Sequence, residues 1–173
     1  MRLLPILASV AIGVVLQGTL ARYMVGGRWA FDLVLVGVVY AALQQGALAG
    51  MFAGTIGGLI QDSLSGGVLG IGGLTKTLTG YFTGGLGTRL VVAKPAAKAL
   101  IVAGATVFNR LMAIGLDAMI HQAWPPVSWA AILGETAANT IAGFIAFSAA
   151  VMLPGAMSRG RLRHRSSWGR RQW

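Results

Sequence analysis

The chain has 173 residues, of which 55% are hydrophobic and only 10% are charged, and its mean hydropathy is +0.72. A soluble domain of this length carries about a quarter charged residues, so the composition argues against a water-soluble fold and favours membrane spans. The formal charge of +10 is largely local, because six of the fourteen basic residues lie between Arg159 and Arg171. We therefore expect an all-α polytopic membrane protein, with one compact bundle over residues 1–157 and a basic cytoplasmic tail over 158–173.

Six apolar segments follow one another along the chain and predict about six transmembrane helices. Four are long enough to cross a hydrocarbon core of about 30 Å. The second and third are short and separated only by two glutamines, so they form either a helical hairpin or one bent segment; we prefer the hairpin. The predicted spans are Leu3–Leu20, Phe31–Leu43, Gly46–Ile60, Val68–Val92, Ala96–Ile120 and Ala130–Leu153.

The first segment has a basic start, an apolar run and Thr19-x-Ala21, features that cleaved signal peptides share. Only one basic residue precedes the run and further spans follow at once, so we expect it to be retained as a membrane helix. Basic residues near the fourth-to-fifth connection and after the sixth span then place both termini in the cytoplasm.

Two glycine rows repeat every four residues in the third and fourth segments, and residues four apart lie on one helix face. Each row forms a smooth strip along which another backbone can approach closely. We expect these strips to pack helices of the bundle or to bind a partner helix. The first row is Gly46, Gly50, Gly54, Gly58 and then Asp62, and the second is Gly72, Lys76, Gly80 and Gly84.

Lys76 interrupts the second strip within a membrane span, where a lysine costs about 2.5–3.5 kcal/mol. Asp62 stands at the end of the preceding span. We therefore predict a Lys76–Asp62 ion pair that fixes the register of two helices. The alternative is a proton or ligand site, because intramembrane charges often mark transport paths.

The last two spans carry further polar residues that we expect to hold helices together, each hydrogen bond contributing about 0.6–2 kcal/mol. Arg110 and Asp117 share one face of the fifth span, and Glu135 and Asn139 share one face of the sixth. Carboxylates without a paired acid, a nucleophile or a metal ligand set make poor catalysts. The chain has no cysteine, which excludes thiol chemistry and cysteine-based metal sites, and its two histidines, His121 and His164, are isolated. We therefore predict no catalytic residue, no metal site and no cofactor.

The tail is too polar to pack into a core. Its arginines are expected to contact anionic lipids or a partner, or to act only as a topological stop signal. The sequence shows no nucleic-acid-binding fold or motif, so nucleic-acid binding is not expected. These arginines are Arg159, Arg161, Arg163, Arg165, Arg170 and Arg171.

Several motifs follow one another over residues 31–87: an Asp–Leu pair, a glycine-stepped span ending in G-L-x-x-D, a small-residue turn, L-G, and a span ending in G-Y. With these motifs, the stretch resembles the rod shape-determining protein MreD family, and the run LTKTLTGY has the form that many members show. Phe31 departs from the pattern, because many members have proline there. The motifs fall on Asp32-Leu33, Gly58-Leu59 with Asp62, Ser65-Gly66, Leu69-Gly70 and Gly80-Tyr81.

The resemblance implies a non-enzymatic inner-membrane subunit of the machinery that elongates bacterial peptidoglycan and sets rod shape. Its implied partners are the bitopic protein MreC and, in the wider complex, the actin-like MreB and the RodA glycosyltransferase with its penicillin-binding transpeptidase. Asp62, Lys76 and the glycines would then hold the bundle or dock the MreC helix.

A different class of function stays open, because MreD-like chains share their size and six-span layout with the substrate-binding S components of vitamin transporters. In that case Lys76 and Asp62 would bind an anionic or zwitterionic small molecule. A general assembly subunit without a ligand is the third possibility.

Overall fold

The computed structural model describes residues 10–19, 31–66, 68–89 and 95–165, and these residues form six α-helices. The all-helical class is confirmed for this part of the chain, and each helix overlaps one predicted span. In chain order the helices are α1 (Val10–Thr19), α2 (Leu33–Gln45), α3 (Ala47–Ser65), α4 (Ile71–Arg89), α5 (Pro95–His121) and α6 (Trp129–Arg165).

One glycine separates α2 from α3. Gly46 has a φ of 90°, a conformation that residues with a side chain rarely adopt, and its N–H donates to the carbonyl oxygen of Ala42 at 2.8 Å. Beyond this break α3 runs back along α2, so that Gly50 faces Ala42 and Gly57 faces Val34. The hairpin interpretation of the two short segments is therefore confirmed.

The helix α2 lies at the centre of the bundle. Eight of its thirteen residues are buried, which is the pattern of a helix that is covered on several sides. Val34 and Val38 pack in one apolar cluster with residues of α1 and α3, whereas Val36 and Val39 pack in a second cluster with Val102, Ala105 and Phe147 of α5 and α6. Thus α2 joins the two halves of the core.

The helices α3 and α4 are antiparallel, and their two glycine strips face each other. A Cβ atom added at Gly50 would overlap the carbonyl oxygen of Gly80, and one added at Gly54 would overlap that of Lys76. At the two ends, Gly58 meets Gly72, and Gly84 meets the backbone of Ala47 and Gly46. Because the strips cover each other, their central glycines are buried inside the bundle.

Within the described ranges, two stretches are both long and apolar enough to cross a membrane: α5, and residues Trp129–Ala150 of α6. The described part of α1 and the helix α2 are apolar but shorter. The helices α3 and α4 have 19 residues each, and the glycines and threonines that they turn toward each other lower their hydropathy.

The helix α6 continues to Arg165, so the predicted boundary between bundle and tail, at 157/158, falls within a helix. The backbone at Arg159, Arg161 and Arg163 extends α6, while Arg170 and Arg171 lie outside the described residues. Residues 3–9 and 20 of the first predicted span and residues 90–92 of the fourth lie outside them as well. The division into bundle and tail stays a prediction.

The close approach of α3 and α4 predicts a sharp difference between two glycine substitutions. Gly54→Ala places a methyl group against the backbone of Lys76 and should lower the free energy of unfolding by about 3 kcal/mol. Gly104→Ala is the matched control on α5, where no heavy atom of the described residues lies within 4 Å of the added Cβ. It should change stability by less than about 1 kcal/mol. Denaturant unfolding in detergent micelles measures both, and equal effects would contradict this packing.

Candidate functional site

An ion pair lies in the interior of the bundle. The Nζ atom of Lys76, in α4, lies 2.8 Å from Oδ2 of Asp32, and the two side chains are only 5% and 9% exposed. Both charges are therefore removed from solvent, and each is balanced by the other. In a low-dielectric environment such a pair is costly to break, because the remaining partner becomes an unpaired buried charge.

Asp32 has a second role as the N-cap of α2. Its Oδ1 atom accepts a hydrogen bond from the N–H of Leu35 at 3.0 Å, so the carboxylate satisfies a free donor at the helix start and lies at the positive end of the helix dipole. The neighbouring N–H of Val34 donates to Oε1 of Gln17 in α1 at 3.3 Å. Side chains thus accept hydrogen bonds from two N–H groups in the first turn of α2, which begins inside the bundle.

The network continues into α5 and α6. Oδ1 of Asn139 accepts a hydrogen bond from the backbone N–H of Asp32 at 2.9 Å, and its Nδ2 donates to the Thr106 hydroxyl at 3.4 Å. That hydroxyl donates in turn to the carbonyl oxygen of Val102 at 2.8 Å. Asn139 and Thr106 are almost completely buried. Around the N-terminus of α2, polar contacts therefore connect α1, α2, α4, α5 and α6.

The predicted Lys76–Asp62 pair is wrong. Oδ2 of Asp62 accepts hydrogen bonds from the N–H groups of Gly70 at 2.8 Å and Gly73 at 3.1 Å, so this carboxylate caps the start of α4. The Asp62 side chain contacts α4 at Gly72, which lies four residues, about 6 Å along the helix, before Lys76. At Lys76 the backbone faces α3, and the side chain reaches α2 instead.

Sequence reasoning alone does not assign three side chains of this network: Asp32, Thr106 and Gln17. Asp32 directly precedes a long apolar run, which is the sequence signal that could have identified it as an N-cap. Thr106 offers no such signal, because a single threonine in an apolar helix usually bonds its own backbone.

The other predicted polar residues form two smaller pairs. Nε of Arg110 lies 3.8 Å from Oε2 of Glu135, which is only 8% exposed, and Oδ1 of Asp117 lies 3.1 Å from Nδ1 of His121. Arg110 and Asp117 do not pair with each other but both line one cavity at the end of the bundle. Glu135 and Asn139 share the buried face of α6, as their spacing predicted.

The described residues include no group of three or more histidine, aspartate or glutamate side chains that could hold a metal ion. All four acidic residues of the chain are described, and each has a polar partner. The buried polar side chains of this network bond to residues of neighbouring helices and so hold the helices together.

The fold and the site define a class: a helical membrane protein whose interior charges join neighbouring helices. The family model for the rod shape-determining protein MreD matches residues 3–145, and the chain belongs to this family. It is thus a membrane protein of the cell-shape machinery, with a role in rod-shape determination. No curated protein and no solved structure gives a match.

The buried ion pair predicts a specific pattern of coupling. Lys76→Met and Asp32→Asn should each lower the free energy of unfolding by about 3–5 kcal/mol, because each leaves one buried charge unpaired. The double variant should be more stable than the sum of the two losses by about 1–3 kcal/mol. Unfolding of all variants in the same detergent measures this coupling.

Asp62→Asn is the control for this double-mutant cycle of Lys76 and Asp32. It removes the carboxylate that caps α4, so its effect should add to that of Lys76→Met within about 0.5 kcal/mol. Coupling of Lys76 to Asp62 in place of Asp32 would restore the pair that the sequence suggested and refute the network.

Proposed function

We propose that the chain is a non-enzymatic, six-span scaffold subunit of the inner membrane in the machinery that elongates peptidoglycan. In this proposal it binds a bitopic MreC-like protein and is linked through the wider complex to MreB and to RodA with its transpeptidase. Membership of the MreD family supports this role. The main supporting observation is that the buried charges of Lys76 and Asp32 bond to each other, and that the carboxylates of Asp32 and Asp62 cap helix N-termini.

The pairing of these charges favours a scaffold over chemistry. Proton transfer or nucleophilic attack needs a group that can reach a substrate. Asp32 and Lys76 are buried and bonded to each other, and Asp62 accepts two backbone hydrogen bonds. The vitamin-transporter hypothesis relied on Lys76 and Asp62 as ligand residues, and both are bonded within the chain. It therefore loses the residues that supported it.

The distribution of side-chain size on α3 supports a third crossing besides α5 and α6. The glycines of its strip face α4, whereas several of its large apolar residues are exposed: Leu48, Phe52, Ile56 and Leu59. In water such an apolar surface would promote aggregation, but in lipid it is the expected exterior of a packed helical bundle. With 19 residues, α3 and α4 each reach about 28 Å, close to the thickness of the hydrocarbon core.

The glycine strips of α3 and α4 are occupied by each other, so they are not the surface to which a partner helix binds. In this proposal the MreC-like helix therefore contacts an outward face of the bundle. The arginine-rich end of α6 and the tail lie in the cytoplasm, close to anionic lipids and to a membrane-bound filament.

Single-cysteine labelling tests the six crossings, and the chain has no native cysteine to interfere. We expect Ser65→Cys and Ala123→Cys to react with a membrane-impermeant maleimide in spheroplasts. Ala93→Cys and Ser158→Cys should react only after permeabilisation, because six crossings place these positions in the cytoplasm. Labelling of Ser65→Cys and Ala93→Cys from the same side would show that α4 does not cross.

Affinity purification from native membranes in mild detergent, with mass spectrometry of proteins and small molecules, tests the scaffold role. We expect a bitopic MreC-like protein in stoichiometric amount and no stoichiometric vitamin, compared with an unrelated membrane protein that carries the same tag. A retained vitamin or a co-purified transport ATPase would overturn the proposal in favour of the transporter class.

A further inference from the structure

A cavity of about 310 Å³ opens where α5, the start of α6 and the loop between them meet the first residue of α4. This volume is at the lower end of the range of about 300–1,000 Å³ that holds small molecules. Most of its wall is apolar, including Ile114, Pro126 and Ile132. The polar part of the lining is Ser128 and two charged side chains of opposite sign, Arg110 and Asp117.

Arg110 is held so that most of its donors remain available. Buried Glu135 contacts it through Nε at 3.8 Å, while the Arg110 side chain is 45% exposed. A guanidinium has five N–H donors in a planar fork, and among the described residues Glu135 is the one acid paired with it. Its terminal nitrogens can therefore bind an anionic group in the cavity, for which arginine is the best-suited side chain.

Asp117 supplies the opposite charge nearer to the end of the helix. It lies two turns, about 10 Å, beyond Arg110 along α5, and its side chain is 39% exposed. One carboxylate oxygen contacts His121, so the other is available to a cation. The cavity thus presents a positive group deeper in the bundle and a negative group close to the α5–α6 loop.

We propose that this cavity binds the zwitterionic head group of a phosphatidylethanolamine-type lipid, with its phosphate on Arg110 and its ammonium on Asp117. The proposal relies on the membrane embedding proposed above. In a leaflet the ammonium lies outermost, the phosphate lies below it and the chains lie deepest. The order of Asp117, Arg110 and the hydrocarbon core along α5 is the same.

Charge complementarity favours the zwitterion over a purely anionic lipid. An anionic head group would contact one guanidinium but would be repelled by the carboxylates of Asp117 and Glu135. The ammonium of phosphatidylethanolamine instead gains an acidic partner. The apolar wall then contacts the glycerol and upper chain region of the lipid, which a water-soluble zwitterion lacks.

Native mass spectrometry of the full chain in detergent tests the site with three probes: palmitoyl-oleoyl phosphatidylethanolamine, phosphatidylglycerol with the same chains, and soluble O-phosphoethanolamine. We expect one phosphatidylethanolamine molecule per chain, bound at least about fivefold more tightly than either of the others. Asp117→Asn should weaken that lipid about five- to tenfold and leave phosphatidylglycerol unchanged or stronger.

Two alanines of α6 provide a matched pair of controls. Ala131 lines the cavity and Ala137 is exposed on the same helix. Ala131→Phe should therefore abolish the phosphatidylethanolamine adduct, whereas Ala137→Phe should keep it. Gel filtration and circular dichroism of each variant verify that the bundle remains folded.

Equal binding of the two lipids, or an adduct that survives Ala131→Phe in a folded protein, would overturn the site. Binding of soluble O-phosphoethanolamine as tight as that of the lipid would overturn the lipid assignment in favour of a water-soluble zwitterion. The assay uses the purified chain without partners, so a negative result here is distinct from failure of the scaffold proposal, which the co-purification tests.

Discussion

The ion pair between Lys76 and Asp32 is the contact on which the arrangement of this bundle depends. The helix α2 begins inside the bundle, and its N-cap residue Asp32 is only 6% exposed, so the N–H groups of its first turn are shielded from water. Unsatisfied backbone groups inside a membrane cost several kcal/mol each. Asp32 satisfies the start of α2 and also neutralises Lys76. The Asp32 carboxylate therefore stabilises both the buried start of α2 and the buried ammonium of Lys76.

The glycine strips determine where that lysine points. Because Gly54 has no side chain, the backbone of Lys76 lies directly against α3, and the long side chain turns toward α2. A larger residue at Gly54 would separate α3 from α4 and move the ammonium away from Asp32. Close backbone packing and the ion pair are thus parts of one arrangement, which explains why a charged residue stands in a row of glycines.

Much of this architecture follows from the sequence, because it is encoded locally. Hydrophobic runs predicted the helices, and the four-residue glycine period predicted the close-packed faces of α3 and α4. The partner of Lys76 was not predictable in the same way, since sequence spacing does not show which acid lies at the same depth in the folded bundle. Asp62 is nearer along the chain, but the free N–H groups at the start of α4 bind it. The pairing of Asn139 with Thr106 and the shape of the cavity beside Arg110 likewise depend on how distant helices meet.

Distance measurement by solid-state nuclear magnetic resonance in lipid bilayers tests the central ion pair most directly. The chain has three lysines and three aspartates, so ¹⁵N labels at lysine Nζ and ¹³C labels at aspartate Cγ give a simple set of possible contacts. The account predicts one strong dipolar coupling, consistent with the 2.8 Å contact between Lys76 Nζ and Asp32 Oδ2, that disappears in Asp32→Asn and persists in Asp62→Asn. A coupling that persists in Asp32→Asn and disappears in Asp62→Asn would contradict it.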